Sequence, residues 1–278
     1  MKKITISVFL LSMILVVACK KSEIDANPNP QVTIPKTFNG CRILQETTTE
    51  TGIPNLILTY LYSFNDDGYI TQINTKTSNS TTNFMQSFPS VNLSYKDGIL
   101  VSLETTGYKE QYEYTDEALT RISVPIDANL KYLNYEIKID NDANKRIIKM
   151  TDKNNISDIK RDVNGNIIEV KLTNISTKEE VERLELSDYD GKKSLSSLFK
   201  GWRFYVKNDV DRYMVNPFFS AGLSGNPRQI KQYIGGKLET TYMLTYEYSK
   251  NDFPIKLNIT NQNTQKTETL NYSLAGCD

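Results

Sequence analysis

Histidine is absent from the 278 residues, which excludes His-dependent nucleophilic triads and imidazole metal sites. A Gly-rich phosphate loop and a CxxC redox pair are missing too. Charge of one sign is not in excess: the chain carries 33 basic and 33 acidic side chains, and without Lys2 and Lys3 the balance is 31 against 33. A body of charge −2 has no electrostatic footprint for nucleic acid, so no nucleic-acid partner is expected. Asp140-Asn141-Asp142-Ala143-Asn144 opens like a calcium loop, but Lys145 stands at the glycine position and Thr151 at the closing glutamate position. No metal, no cofactor and no catalytic residue is expected. The chain reads as a non-enzyme.

No apolar run reaches the roughly 20 residues of a membrane-spanning helix. The first nineteen residues carry a shorter signal: Lys2 and Lys3, an apolar run from Ile4 to Val17, then Ala18-Cys19. A basic start, an apolar core and a small residue before cysteine are the parts of a bacterial lipoprotein signal peptide over 1–18. Lipidation is expected on Cys19. Several fatty chains, at about 0.8 kcal/mol per buried CH₂, would make a permanent membrane anchor. The alternative is an ordinary signal peptide whose cleavage site contains a cysteine. Residues 19–31 are polar and interrupted by Pro28 and Pro30, the composition of a flexible tether. Lys20 occupies the position where aspartate commonly marks inner-membrane retention, so the expected location is the outer membrane, facing the periplasm or the cell surface.

Two further cysteines remain, Cys41 just past the tether and Cys277 beside the last residue. In an oxidising compartment these are expected to pair, closing a long loop that contributes up to about 5 kcal/mol in the chain-entropy model. Pairing requires Cα atoms within about 7 Å. The alternative is two independent small hydrophobes in terminal strands.

Residues 32–278 read as one β domain. Seventeen tyrosines and ten phenylalanines favour strands, and a loose repeat of strand, polar reversal and strand recurs. Its first copy runs Tyr62-Ser63-Phe64-Asn65-Asp66-Asp67-Gly68-Tyr69-Ile70-Thr71-Gln72-Ile73. Related units occur around Asp97-Gly98, Asp116-Glu117, Asp140–Asn144, Asp162–Asn166, Asp188–Gly191 and Asn251-Asp252. Period-two alternation marks half-buried strands, and Asp, Asn and Gly supply the reversals, so each unit is a hairpin. Irregular spacing argues against a solenoid. The expected architecture is all-β: a large, strongly curved antiparallel meander, or half-open barrel, of about fourteen strands.

The Tyr-x-Tyr-x-Asp-x-x-Gly-x-Ile-x-x-Ile rhythm over Arg42 to Tyr272 resembles the YD-type repeats of RHS proteins. Together with the lipoprotein signal it resembles a Gram-negative lipoprotein family carrying a domain of unknown function described as porin-like. Several copies depart from the pattern by lacking the glycine, as at Ala118 and Phe253. The resemblance implies a large antiparallel sheet on a lipid anchor and no activity. Pore formation does not follow, because Lys138, Glu169 and Lys171 interrupt any lipid-facing apolar band.

One segment breaks the rhythm, from about 192 to 223. Leu195, Leu198 and Phe199 fall at helical spacing and Gly201 is placed to end a short helix. Dense aromatics there are expected to fill core, while Trp202, Tyr205 and Tyr213 are the candidates for stacking on a sugar or peptide. The expected function is a lipid-anchored envelope protein that binds or scaffolds, with a glycan or another envelope protein as partner. The alternative is a polysaccharide hydrolase using two carboxylates about 5 to 9.5 Å apart.

Overall fold

Alternating apolar and polar side chains, interrupted by Asx-rich reversals, form seventeen β-strands among the described residues. The computed structural model describes residues 40–49, 56–79, 81–82, 84–106, 108–124, 135–201 and 225–277, all within one unit, Val32–Asp278. Segments 1–18 and 19–31, with Cys19, lie outside the described residues, as do Trp202, Tyr205 and Tyr213.

The strands in chain order are β1 (Arg42–Thr49), β2 (Leu56–Phe64), β3 (Ile70–Asn79), β4 (Phe84–Ser87), β5 (Val91–Lys96) and β6 (Ile99–Thr105). They continue with β7 (Tyr108–Thr115), β8 (Ala118–Val124), β9 (Tyr135–Asn141), β10 (Ile147–Thr151), β11 (Asn155–Arg161) and β12 (Ile167–Asn174). The last five are β13 (Glu180–Ser187), β14 (Gln229–Ile234), β15 (Lys237–Tyr248), β16 (Pro254–Asn261) and β17 (Thr267–Ala275). Each pairs antiparallel with its sequence neighbour, except that β4 and β5 lie in line along β3 as two halves of one interrupted strand. β1 pairs with β2 on one side and with β17 on the other.

The sheet therefore closes into a barrel of sixteen staves. This corrects the expected half-open meander of about fourteen strands. Closure rests on the pairing of the first strand with the last, Arg42 opposite Ala275 through Thr48 opposite Leu270. β1, which lacks the repeat's rhythm, accounts for part of the missing number.

One end of the barrel carries the repeat's turns. Asn65 Oδ1 accepts the N–H of Asp67 and Tyr69, Asp142 Oδ1 that of Asn144 and Arg146, and Asp162 Oδ1 that of Asn164 and Asn166. The residue before the last of each turn is left-handed: Gly68 at φ 81°, Lys145 at 61° and Gly165 at 88°. The Asx side chain thus replaces backbone partners within the turn, and φ > 0 reverses the chain.

Next to these turns the ladder slips by one residue in seven of the pairings at this end. Each slip is a β-bulge, and the extra residues are Leu44, Thr71, Val101, Thr120, Ile148, Ile168 and Ile255. The bulge explains the Ile-x-x-Ile of the repeat. In a regular strand, residues three apart face opposite sides; one inserted residue returns both to the same side. Ile70 and Ile73, Leu100 and Leu103, Leu119 and Ile122, Ile147 and Met150, and Ile167 and Val170 are all buried as such pairs. The pairing of β13 with β14 at this end has no bulge, and there the buried pair is Ile230 and Gln232, two apart.

These residues line the inside and join into one continuous apolar core. The outside carries cross-strand ion pairs: Arg121 with Glu113 and Glu136, Lys160 with Glu169, Lys256 with Glu247. A single 3₁₀ turn, Leu195–Leu198, is the helix among the described residues. It agrees with the helical spacing read in the sequence, and Leu195, Leu198 and Phe199 are buried against the core as expected.

Candidate functional site

The bulged repeat builds two inward layers of aliphatic side chains at the turn end, and one position breaks the rule. On β1 the pair is Ile43 and Glu46, so a carboxyl stands where the other bulged strands place Ile73, Leu103, Ile122, Met150, Val170 and Leu257. Glu46 is 1% exposed. Its strand neighbours are Tyr272 on β17 and Tyr60 on β2, directly opposite on either side. Tyr62, two residues along β2 from Tyr60, is completely buried, and Thr48 follows Glu46 on the inward face of β1.

Burial governs the chemistry of this cluster. Glu46 Oε1, Tyr62 Oη and Thr48 Oγ1 are shielded from solvent without a hydrogen-bond partner. Loss of water around the carboxyl pushes its pKa from 4.5 up to about 8. Glu46 is therefore a neutral acid at pH 7, a proton donor held inside an apolar layer. Burial, then the nearby Glu46, Tyr60 and Tyr272, raise the Tyr62 phenol well above its ordinary range. The second inward carboxyl, Glu110, lies on β7, which is not a sheet neighbour of β1. Among the described residues, no group of three or more Asp, Glu and Cys side chains is placed to hold a metal ion.

A strap covers the turn end above this layer. It leaves β13, forms the 3₁₀ turn capped by Ser194, whose hydroxyl accepts the Ser196 N–H, and crosses to the turns of the β2–β3 and β5–β6 hairpins. Phe199 meets Tyr62 edge to face, with centroids 6.0 Å apart. Lys200 Nζ donates to the Asp67 carbonyl at 2.8 Å and sits 4.3 Å from the Tyr69 ring centroid. The Leu100 N–H donates to the Gly201 carbonyl at 3.0 Å. Gly201 is left-handed at φ 79°, and a Cβ there would lie 2.5 Å from the Gly98 carbonyl oxygen. Only glycine fits this crossing.

The same end holds Cys41 and Cys277 at disulfide distance, their Cα atoms 4.2 Å apart. Glu46 did not stand out in the sequence, because Arg42-Ile43-Leu44-Gln45-Glu46-Thr47-Thr48-Thr49 is mostly polar. The usable signal was its alignment with Ile-x-x-Ile.

No protein-family model and no curated protein matches the sequence. Among solved structures, the chain is similar to a porin-like protein from Bacteroides uniformis, with 14% identity, 87% of this chain and 100% of that chain covered, and a TM-score of 0.57. It is also similar to a porin-like protein from Bacteroides vulgatus, with 12% identity, coverage of 84% and 98%, and a TM-score of 0.42. The first of these shows that the chain shares its fold with a porin-like protein.

Proposed function

We propose that this chain is a lipid-anchored protein of the Gram-negative envelope, held in the outer membrane through Cys19, whose barrel is a non-enzymatic binding or scaffold module. The single observation that carries the reading is an inversion of polarity relative to a membrane pore: aliphatic side chains fill the inside and ion pairs cover the outside. A lysine or arginine facing lipid at mid-height costs about 2–4 kcal/mol, and this wall carries several. A filled interior also leaves no aqueous conduit at the level of the aliphatic layers. Such a barrel is a rigid body on a tether, suited to presenting its ends and loops to a partner. Trp202, Tyr205 and Tyr213, which lie in sequence between β13 and β14, remain the candidates for stacking on a glycan or an envelope protein. The rhythm shared with YD-type repeats belongs to the same reading, as a hairpin rule.

Two experiments test this. Expression of the full chain in a Gram-negative host with labelled palmitate should label the wild type and leave Cys19→Ser unlabelled; equal labelling of both removes the anchor. A glycan array and an envelope pull-down with the exported chain should yield a partner whose binding falls in Trp202→Ala. Turnover of a polysaccharide by the exported chain would replace the binding role with hydrolysis.

A further inference from the structure

β4 leaves both a backbone edge and apolar side chains unused at the end of the barrel opposite the turns. Along β3, residues Lys76 to Asn79 pair with Ser87 to Phe84, while Gln72 and Ile73 pair with Asn92 and Val91 of β5. β6 pairs with β5 only as far as Glu104 opposite Asn92. Among the described residues, no strand pairs with the other edge of β4.

The parity of the ladder decides which groups that edge presents. The Phe88 N–H donates to the Thr75 carbonyl at 2.9 Å, so Thr75 and Phe88 form a hydrogen-bonded pair. Antiparallel pairs alternate, which makes Gln86 with Thr77 and Phe84 with Asn79 bonded pairs too. The N–H and C=O groups of Met85 and Ser87 consequently point away from β3. Beside them, Phe84 is 47%, Met85 70% and Phe88 42% exposed. Charge is missing as well: between Lys76 and Lys96 there is no Asp, Glu, Lys or Arg. Edge strands are ordinarily blunted by shortness, proline, charge or a covering element; β4 is short and followed by Pro89, but it bears no charge, and among the described residues no strand covers it.

We propose that the free edge of β4 is a dimerisation site, pairing antiparallel with β4 of a second copy of this chain. A two-fold axis through Gln86 sets the outward groups of Met85 against those of the partner's Ser87, and the reverse, so one short edge satisfies itself. Identical patches meet without like-charge repulsion because neither bears a charge. The contact is small, which places it in the weak class, with a Kd on the order of 10 to 100 µM.

Sedimentation of the mature, exported chain in detergent, from about 1 to about 300 µM around that Kd, should show a concentration-dependent monomer–dimer equilibrium. Met85→Lys, which charges the edge, and Ser87→Pro, which deletes an outward donor while sparing the bonds to β3, should each weaken it at least about tenfold. Far-UV circular dichroism matching the wild type establishes that both variants are folded. Hydrogen exchange supplies the second readout: the Met85 and Ser87 amides should slow as concentration rises, whereas the Gln86 amide, bonded to β3, stays protected throughout. A monomer over the whole range, with fast exchange at Met85 and Ser87, overturns the proposal and leaves the edge to a strand from another protein. A dimer unchanged in both variants overturns it equally.

Discussion

Replacing Glu46 with glutamine should stabilise the protein at neutral pH and flatten its response to pH. The carboxyl titrates at 4.5 when solvated and at about 8 in the barrel. Below pH 4.5 it is protonated in both states and folding carries no penalty from it. As pH rises from 4.5 to 8, the unfolded chain releases the proton and the folded chain keeps it, so stability falls by about 1.4 kcal/mol per pH unit. The loss from this group reaches about 3 kcal/mol at pH 7 and levels off near 5 kcal/mol once pH passes 8. Glutamine has a similar shape and does not ionise, and leucine restores the side-chain type that the other bulged strands carry. Urea unfolding followed by tyrosine fluorescence at pH 5, 7 and 8.5, without reductant, separates the cases. Wild type should lose stability relative to Glu46→Gln between pH 5 and 8.5, and the gap between the curves should widen with pH. Parallel curves across that range would show that Glu46 ionises normally, and the buried acid would be refuted.

Three further outcomes follow from the turn end. Cys41→Ser with Cys277→Ser should lower stability by about 2–5 kcal/mol in non-reducing urea melts, and dithiothreitol should bring the wild type to the level of the double variant. Gly201→Ala should destabilise by at least about 2 kcal/mol, since the added methyl meets the Gly98 carbonyl in a left-handed backbone; thermal unfolding equal to wild type would mean that the strap does not pack as described. Lys145→Gly should stabilise by up to about 1 kcal/mol, because it relieves a left-handed non-glycine residue at the place where two sister turns use glycine. Chemical denaturation reads that gain, and a loss would show that the ion pair of Lys145 Nζ with Glu117 Oε2, at 3.4 Å, outweighs the backbone.

The hairpins were legible because their causes are local. An Asx side chain binds N–H groups within its own turn, as at Asn65 and Asp162, and the alternation around Tyr62 and Phe64 is visible over a few residues. The approach of Cys41 to Cys277 was expected from export chemistry rather than from pattern. That expected cysteine pairing set the two ends side by side, but hydrogen-bonded closure stayed hidden, since nothing in the strand pattern of β1 or β17 shows that the two form a ladder across more than two hundred residues. The sequence carried the bulge as Ile-x-x-Ile without saying what the spacing does; only the register makes it a rule, and only the rule makes Glu46 an exception. β4 was missed because Phe84-Met85-Gln86-Ser87 is too short to show a period, and its exposure depends on where β6 stops.

The cysteine contact has a mechanical consequence. Any load arriving along the chain ahead of residue 40 enters beside Cys41, and a covalent bridge there would pass it to the far terminus of the meander before β1 could be peeled from its neighbours. Both flanks of β1 would then have to shear together, at the seam where the ring is joined. Without the bridge, the same load would open that seam one rung at a time. The sulfur bridge would thus act as a strain relief between the preceding chain and the barrel, converting an unzipping geometry into a shearing one.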